Sequence, residues 1–465
     1  MSQSPDIAVI WSDYASSIAY DDLAEPVTQV LKWLVLDTLG TTLAANTLGV
    51  GVQEMLALAR SNGGIPESSL LGFADRLPAV TAAMMNGGMA HALNFDDTTA
   101  AGSGHLGPVT LPSAFAAAEV KGGASGKELL TSVAAGAELM ARIGLALTRV
   151  DQPYTESKPQ PTQMPGYFAS AVSAGRMFEF TPRQMQSALG LAFMQAAGGR
   201  QPVLEGRPAK AVYAAFSNQG GMQSAMLVRK GLEADCAVFE GDAGYFPTYY
   251  GGRFDRPTLT EGLGEHFALT NVGFKPWPTT GVAHVFIEAC INLATQYDLA
   301  PGAITGAHIS GEPHIRTFCE PPDTRRRPQA PVEAEDSVIF AVAKALVHRN
   351  VSLADLQPTP EGLFDREALR IAGLVEYEVD ESLGKSGVVT ITLSSGERLT
   401  ERVDQARGHR DRPLSDAQRR QKFVDCAAYA GSALSASTLD EVVTMVDHLE
   451  DVPDVRVLAD LLRGG

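Results

Sequence analysis

Cysteine is scarce in this chain and never paired. Four residues in 465, Cys236, Cys290, Cys319 and Cys426, lie far apart, with no CxxC and no cysteine–histidine cluster. That spacing excludes the usual ligand sets of a zinc site or an iron–sulfur cluster, and the four read as reduced, buried thiols. Positive charge is also short: 37 Lys and Arg against 54 Asp and Glu give a formal net charge of −17. Such a balance argues against nucleic-acid and anionic-membrane partners. It does not forbid a small anionic ligand, because a few local lysines override the global field inside a pocket. Long uninterrupted apolar runs are missing too. The apolar segment 27–44 is broken by Lys32, Asp37 and Gly40 and reads as a core helix, so no membrane association is expected. The opening MSQSPDIAVIWSDY has no basic segment followed by an apolar run, so no signal peptide and a cytoplasmic location are expected.

What is present is helical patterning. A length of 465 residues suggests two domains. Glu25-Pro26 opens a helix over about 23–45, with Val27, Val30, Leu31, Leu34, Val35 and Leu39 at helical spacing. The same period predicts helices at about 51–61, 77–94, 110–121, 126–148, 165–178, 183–197 and 209–231. Their alanine and glycine content points to closely packed helices. Near 270 the character changes. A short strand, a proline-rich loop and a helix follow in sequence, then a strand at ITGAHISGE and a helix at 335–349. Alternation over 374–379 and 387–403, turning at Ser395-Gly396, reads as further strands. Helices return after Pro413, through about 415–431, 437–449 and 453–463. The expected architecture is mainly α: an all-helical domain of 1–270 plus 404–465, with an inserted smaller α+β lid domain, 271–403. The stretch 321–330, PPDTRRRPQA, reads as an exposed loop with no fold of its own.

The most informative stretch is 86–112, NGGMAHALNFDDTTAAGSGHLGPVTLP. It crowds His91, Asn94, Asp96, Asp97, Thr98 and His105 into a glycine-rich break between two apolar helical segments. Polar residues gathered where a buried helix ends are more often a site than packing material. The order of residues resembles the signature of the MmgE/PrpD family, which includes 2-methylcitrate dehydratases, cis-aconitate decarboxylases and iminodisuccinate epimerases. Further pieces in family order are LDTLG (36–40), LPSAFAAAEVKGGASGKELL (111–130), FASAVSAGRMF (168–178), ALGLAFMQAAG (188–198), FKPWPTTGVAH (274–284) and ARGHRDRPLS (406–415). The resemblance covers roughly residues 20–430. It implies a helical domain, an α+β lid, a site between them and a homodimer. It also implies chemistry on small polycarboxylates by proton transfer next to a carboxylate, with no cofactor or metal.

That chemistry requires a base, donors or cations to hold carboxylates, and an acid. By family position His105, in GSGHLGP, is the leading proton-transfer candidate; the alternative is a surface loop histidine. Thr98 matches a substrate-contacting threonine. Asp96 and Asp97 match an aspartate pair, with a helix-end role, holding backbone N–H groups or an ion pair, as the equal alternative. Asn94 stands where the family has an aspartate; it cannot act as a carboxylate base but can hold a carboxylate through its NH₂. His91 reads as a core histidine that could support the site. Lys210 occupies a family lysine position at the start of a long helix, where a cation opposes the helix dipole and needs another reason, such as a bound anion. In the same helix Tyr213 and Phe216 stand at family histidine and arginine positions. Lys275 matches the lysine of a K-x-(Y/F/W)-P motif and suits carboxylate binding. Thr279 and Thr280 follow it, and His284 matches a family histidine, with a core or capping role as the alternative. Gln160 replaces a family histidine and Phe340 a family tyrosine. The run Arg325-Arg326-Arg327 reads as a solvated loop or as a guard for anions.

The acid–base set is therefore thinner than the family pattern. A lyase, dehydrating or decarboxylating, is the leading expectation. Epimerisation or isomerisation of a dicarboxylate asks less of the site and is the alternative. A non-catalytic metabolite-binding relative comes next, and an unrelated helical structural protein last.

Overall fold

Helices form where apolar residues recur at the helical period, and their ends carry the expected caps. The computed structural model describes residues 4–463 apart from 100–103, 151–157, 206 and 208. The chain divides into two compact units, one of Met1–Gly273 with Ser415–Gly465, the other of Phe274–Leu414.

The first unit is built from α1 (Ile7–Ser17), α2 (Glu25–Leu48), α3 (Val52–Asn62), α4 (Ala79–Ala92), α5 (Gly107–Lys121), α6 (Gly126–Thr148), α7 (Gln163–Met177), α8 (Pro182–Gln195) and α9 (Lys210–Arg229). Ser125 and Glu128 form a capping box at α6, and Thr181 and Gln184 form one at α8. Strand β1 (Ser68–Ser69) pairs with β2 (Arg76–Leu77), and β3 (Thr98–Thr99) with β4 (Val272–Gly273), both antiparallel. The second short pair ties the end of the polar motif to the last residues before Phe274. Helix Asp416–Ala427 packs on α2, so the C-terminal segment does return to the first unit. Among the described residues α6 alone is long and apolar enough to cross a membrane, and 94% of its apolar window is buried within the protein.

Small residues allow α4, α5, α7 and α9 to approach closely. A Cβ on Gly87 of α4 would lie 2.1 Å from Asn218 Nδ2 on α9. That asparagine repairs a defect in α5. Pro112 has no N–H, so the Pro108 carbonyl one turn earlier lacks its helical donor. Asn218 Nδ2 donates to Pro108 O at 2.7 Å, and its Oδ1 accepts from Ser113 Oγ at 2.8 Å. Pro112 is thus tolerated inside a buried helix because α9 supplies the missing donor.

A second device organises the loop before β4. Arg142 on α6 bonds Glu138 one turn earlier, Nε to Oε1 at 2.6 Å, and donates to the carbonyls of Thr258, Glu261, Gly262 and His266. Glu138 in turn accepts from the backbone N–H groups of Ala268 and Leu269, each at 2.9 Å. Both side chains are buried.

The second unit carries a four-stranded sheet in the order β6–β5–β7–β8, from β5 (Ile304–Gly311), β6 (Val375–Val379), β7 (Gly387–Leu393) and β8 (Arg398–Val403). The β5–β6 pair is parallel; β5–β7 and β7–β8 are antiparallel. Ser395-Gly396 does form the turn between β7 and β8, with Gly396 at φ +84°. Helices His284–Gln296 and Val338–His348 bury Phe286, Ile287, Phe340 and Leu346 in one core with Ile309, Val389 and Ile391. The boundary expected at 404 falls at 415. Residues 404–414 are held in this unit because Glu288 pairs with Arg407 and Arg412 and Gly408 O accepts from Phe274 N.

Two expectations fail. Residues 321–330 are not a structureless loop: Pro322–Arg326 is a short helix. Arg325 donates to Glu320 O, Asp336 O and Thr317 O, and Arg326 to Val375 O. Backbone carbonyls, that of Val375 in β6 among them, take up these guanidinium groups. Among the cysteines, Cys236 is exposed while the other three are buried; all four are free.

Candidate active site

Helix α4 ends at Ala92, and a tight turn over 93–97 leads into β3. The turn exposes the last carbonyls of α4, and Lys210, the first residue of α9, answers them. Its Nζ donates to His91 O at 2.9 Å, to Leu93 O at 2.8 Å and to Asp96 Oδ1 at 3.1 Å. A cation at the C-terminal end of one helix satisfies orphan carbonyls and the negative end of the dipole. The anion that the lysine's position called for is therefore Asp96, inside the protein.

Asp96 is the hub. Its Oδ2 lies 2.6 Å from His91 Nδ1 and 2.9 Å from His105 Nδ1. Burial opposes the carboxylate's charge, but His105, Lys210 and His91 outweigh it and hold its pKa well below the ordinary range. His91 is buried, and burial followed by the nearby Lys210 ammonium lowers its pKa to about 3 despite Asp96. It stays neutral and donates from Nδ1. The histidine that the sequence left between core and support is thus a buried member of the cluster. The His91 and His105 rings meet edge to face, centroids 4.7 Å apart, and the Tyr213 ring lies 6.5 Å from His91.

His105 Nδ1 also contacts the Asp97 carbonyl oxygen. Two oxygen acceptors at one nitrogen fix Nδ1–H as the donor, which leaves the lone pair of neutral imidazole on Nε2. The side chain retains 17% exposure. His105 is thus a half-buried histidine with a defined tautomer, not a solvated loop residue. Residues 102 and 103 of its GSGHLGP loop, like 206 and 208 of EGRPAK, lie outside the described residues.

Asp97 takes the helix-end role. Its oxygens accept from Leu106 N at 2.7 Å and Gly107 N at 3.0 Å, at the start of α5. Its side chain is fully buried, so it presents no surface to a substrate. Burial, with Asp96 and Asp37 nearby, pushes its pKa up to about 8 against the pull of the two N–H groups. Between about pH 4 and 8 the folded state keeps this proton and the unfolded state loses it, so the group's contribution to stability falls as pH rises through that window. Urea unfolding at pH 5 and pH 8 is expected to show this slope in the wild type and a flatter one in Asp97→Asn. Parallel slopes would contradict it.

Gln160 also caps a helix: its Oε1 accepts from Thr162 N at 2.6 Å and Gln163 N at 2.8 Å, at the entrance of α7. Thr98 is exposed and Asn94 half-buried, so both present surface beside the cluster. Tyr213 is buried and Phe216 exposed. Phe340 lies in the apolar core of the second unit, where a hydroxyl has no role. That unit also holds the other three candidates. Lys275 and Thr280 are buried in the loop after β4, with Thr280 N bonded to Glu335 O at 2.8 Å. His284 opens its helix with its ring edge to face against Trp277, centroids 5.6 Å apart.

The donor atoms of His91, Asp96 and His105 lie within 4.8 Å of one another, close enough to hold a metal ion. Lys210 Nζ stands 3.4 Å from His91 Nδ1 as well as beside Asp96, so an ammonium already meets the carboxylate's charge at that point.

Sequence reasoning missed one pair in this neighbourhood. Asp37 of α2 and Lys422 of the 416–427 helix form a buried ion pair, Nζ to Oδ1 at 2.5 Å, and Lys422 also donates to Phe95 O at 2.7 Å. The available signal was a lone carboxylate in the apolar LDTLG segment, which demanded a partner without naming it.

Comparison with known proteins follows the same lines. Residues 10–257 match the MmgE/PrpD N-terminal domain and residues 277–448 the MmgE/PrpD C-terminal domain. A cis-aconitate decarboxylase of Aspergillus terreus is 26% identical over 474 residues, covering 97% of this chain and 94% of the relative. The cis-aconitate decarboxylases of Homo sapiens and Mus musculus are each 26% identical over 462 residues, covering 95% of this chain and 91% and 90% of theirs. With both domain models matched in order along most of its length and the motif residues gathered around Asp96, the chain belongs to the MmgE/PrpD family.

Proposed function

We propose that this protein is a lyase that decarboxylates a small tricarboxylate of the cis-aconitate type. The single observation that carries this reading is the His105–Asp96 pair backed by Lys210, in a chain similar over nearly its whole length to cis-aconitate decarboxylases. In such a reaction the bond to one carboxylate breaks and CO₂ leaves. The electron pair passes into the carbon frame, the double bond shifts, and a proton is added at carbon. His105, with Nδ1–H fixed, takes a proton from solvent at Nε2 and as imidazolium delivers it to that carbon. Tyr213 is the nearby phenol able to assist. Asn94 and Thr98, which keep surface beside the cluster, hold carboxylates. Gln160 keeps the entrance of α7 in place. No step in this account calls on a cofactor.

The thinned acid–base set supports a second reading, isomerisation or epimerisation of a dicarboxylate without loss of carbon. Gln160 is committed to a helix end and Phe340 to a core, so neither supplies a proton.

One experiment separates them. Purified protein is incubated with cis-aconitate in D₂O and followed by proton NMR, with aspartate- and succinate-derived acids in parallel. Released CO₂ with a new terminal alkene is expected, and His105→Gln is expected to slow it by about 10²–10⁴-fold, the range of a general acid–base group. Deuterium uptake into an unchanged skeleton would replace the lyase by the isomerase. A folded protein inert toward every acid would defeat both.

A further inference from the structure

The turn that presents Asp96 is held by lysines from two distant parts of the chain. Lys210 takes the carbonyls of His91 and Leu93, and Lys422 takes the next in alternation, that of Phe95. Lys422 is buried, anchored by Asp37, and its ammonium stands 4.1 Å from the centre of the Phe95 ring. Its helix is seated on α2, where Arg419 stacks on Trp33 at 3.7 Å and Phe423 is buried.

We infer that Lys422 is a positioning residue of the active site, fixing the Phe95 carbonyl and through it the direction in which Asp96 meets His91 and His105. This inference rests on the lyase reading for its kinetic consequence but not for its geometry. The physical case is one of backbone register. Phe95 and Asp96 share a peptide unit, so rotating the Phe95 carbonyl also turns the N–H of Asp96 and swings its side chain. Asp96 Oδ2 must lie between two imidazole nitrogens, at 2.6 and 2.9 Å, and small rotations break that bifurcation. Lys210 cannot substitute, because its donors are directed to the carbonyls on the α4 side and to Asp96 Oδ1. Nor would a structural anchor need to reach the turn, since Asp37 already answers the ammonium's charge. The second bond, to Phe95 O, is the one that a positioning role requires.

The test compares wild type, Lys422→Met and Lys422→Arg. Two readouts are followed: the downfield imidazole N–H proton resonances of the histidines bonded to Asp96, and steady-state turnover of cis-aconitate. In Lys422→Met, folded by circular dichroism, the resonances are expected to shift or broaden away, and kcat to fall about ten- to a hundred-fold with KM little changed. Should Lys422→Met fail to fold, Lys422→Arg carries the test. Its planar fork cannot occupy a point ammonium's place between Asp37 and the carbonyl, so a smaller shift and loss in the same direction are expected. Unchanged resonances and kcat in a folded variant, with only a lowered melting temperature, would reduce Lys422 to a structural anchor and overturn the inference. Wild-type protein that shows the resonances but no turnover fails the lyase reading, and the resonance comparison then decides the positioning role by itself.

Discussion

Replacing Asp96 with asparagine is expected to cut turnover by about 10⁴-fold while leaving a folded protein, the order of loss when a histidine is left with the wrong tautomer. The reason is acceptor count. The carboxylate meets three donors, His91 Nδ1, His105 Nδ1 and Lys210 Nζ. A carboxylate is acceptor-only; an amide presents NH₂ on one side. Flipped one way, the introduced amide sets NH₂ against two imidazole N–H groups. Flipped the other way, it opposes the lysine ammonium. Relief comes from moving the proton of His105 to Nε2, the atom the lyase reading needs as the proton carrier. Asp96→Glu is expected to fail as well, because the longer side chain overshoots a turn pinned at both ends. The measurement is kcat/KM beside a thermal melt. Activity within tenfold of wild type in folded Asp96→Asn would show that His105 does not depend on this partner.

The largest stability effect is expected at a distance from the chemistry. Arg142→Met should destabilise the first unit by about 3–5 kcal/mol, the range for removing one partner of a buried ion pair. Glu138 would remain buried; its pKa is already raised by burial even with Arg142 in place. The carbonyls of Thr258, Glu261, Gly262 and His266 would lose their common donor. Calorimetry is the check. The transition of the first unit should fall by about 5–15 °C. A shift of a degree or two would mean that water replaces the guanidinium without penalty.

Much of the helical frame was legible. The periods over 126–148 and 209–231 gave α6 and α9 almost to the residue, because buried helices carry the signal along their whole length. Polar crowding at a helix end singles out the stretch that holds His91, Asp96 and His105, although His91 taken alone reads as a core histidine. What could not be read were the partners. Lys210 raised the question of an anion, and the answer, Asp96, lay 114 positions away. The separation of Lys422 from Asp37 is 385 positions, and a single sequence holds no trace of such a pairing. Asp97 and Gln160 matched family positions by order along the chain; their backbone N–H partners became visible only with the start of α5 and α7 in place. The arginine run misled for a similar reason: charge suggested solvent, while backbone carbonyls take up Arg325 and Arg326 and leave only Arg327 exposed.

The division of the chain also sets a timetable. The first unit is made of two segments separated by the whole of Phe274–Leu414. At a synthesis rate of about 5–20 residues per second, Lys422 leaves the ribosome roughly seven to thirty seconds after Gly273. Through that interval α2 waits with Asp37 lacking the ammonium it meets in the finished fold, and the Phe95 carbonyl lacks its clamp. The nascent first unit is thus complete in its motif but not in its geometry. With Lys422 in the positioning role inferred above, the Asp96 cluster takes its final geometry only after residues far downstream of those that form it have emerged.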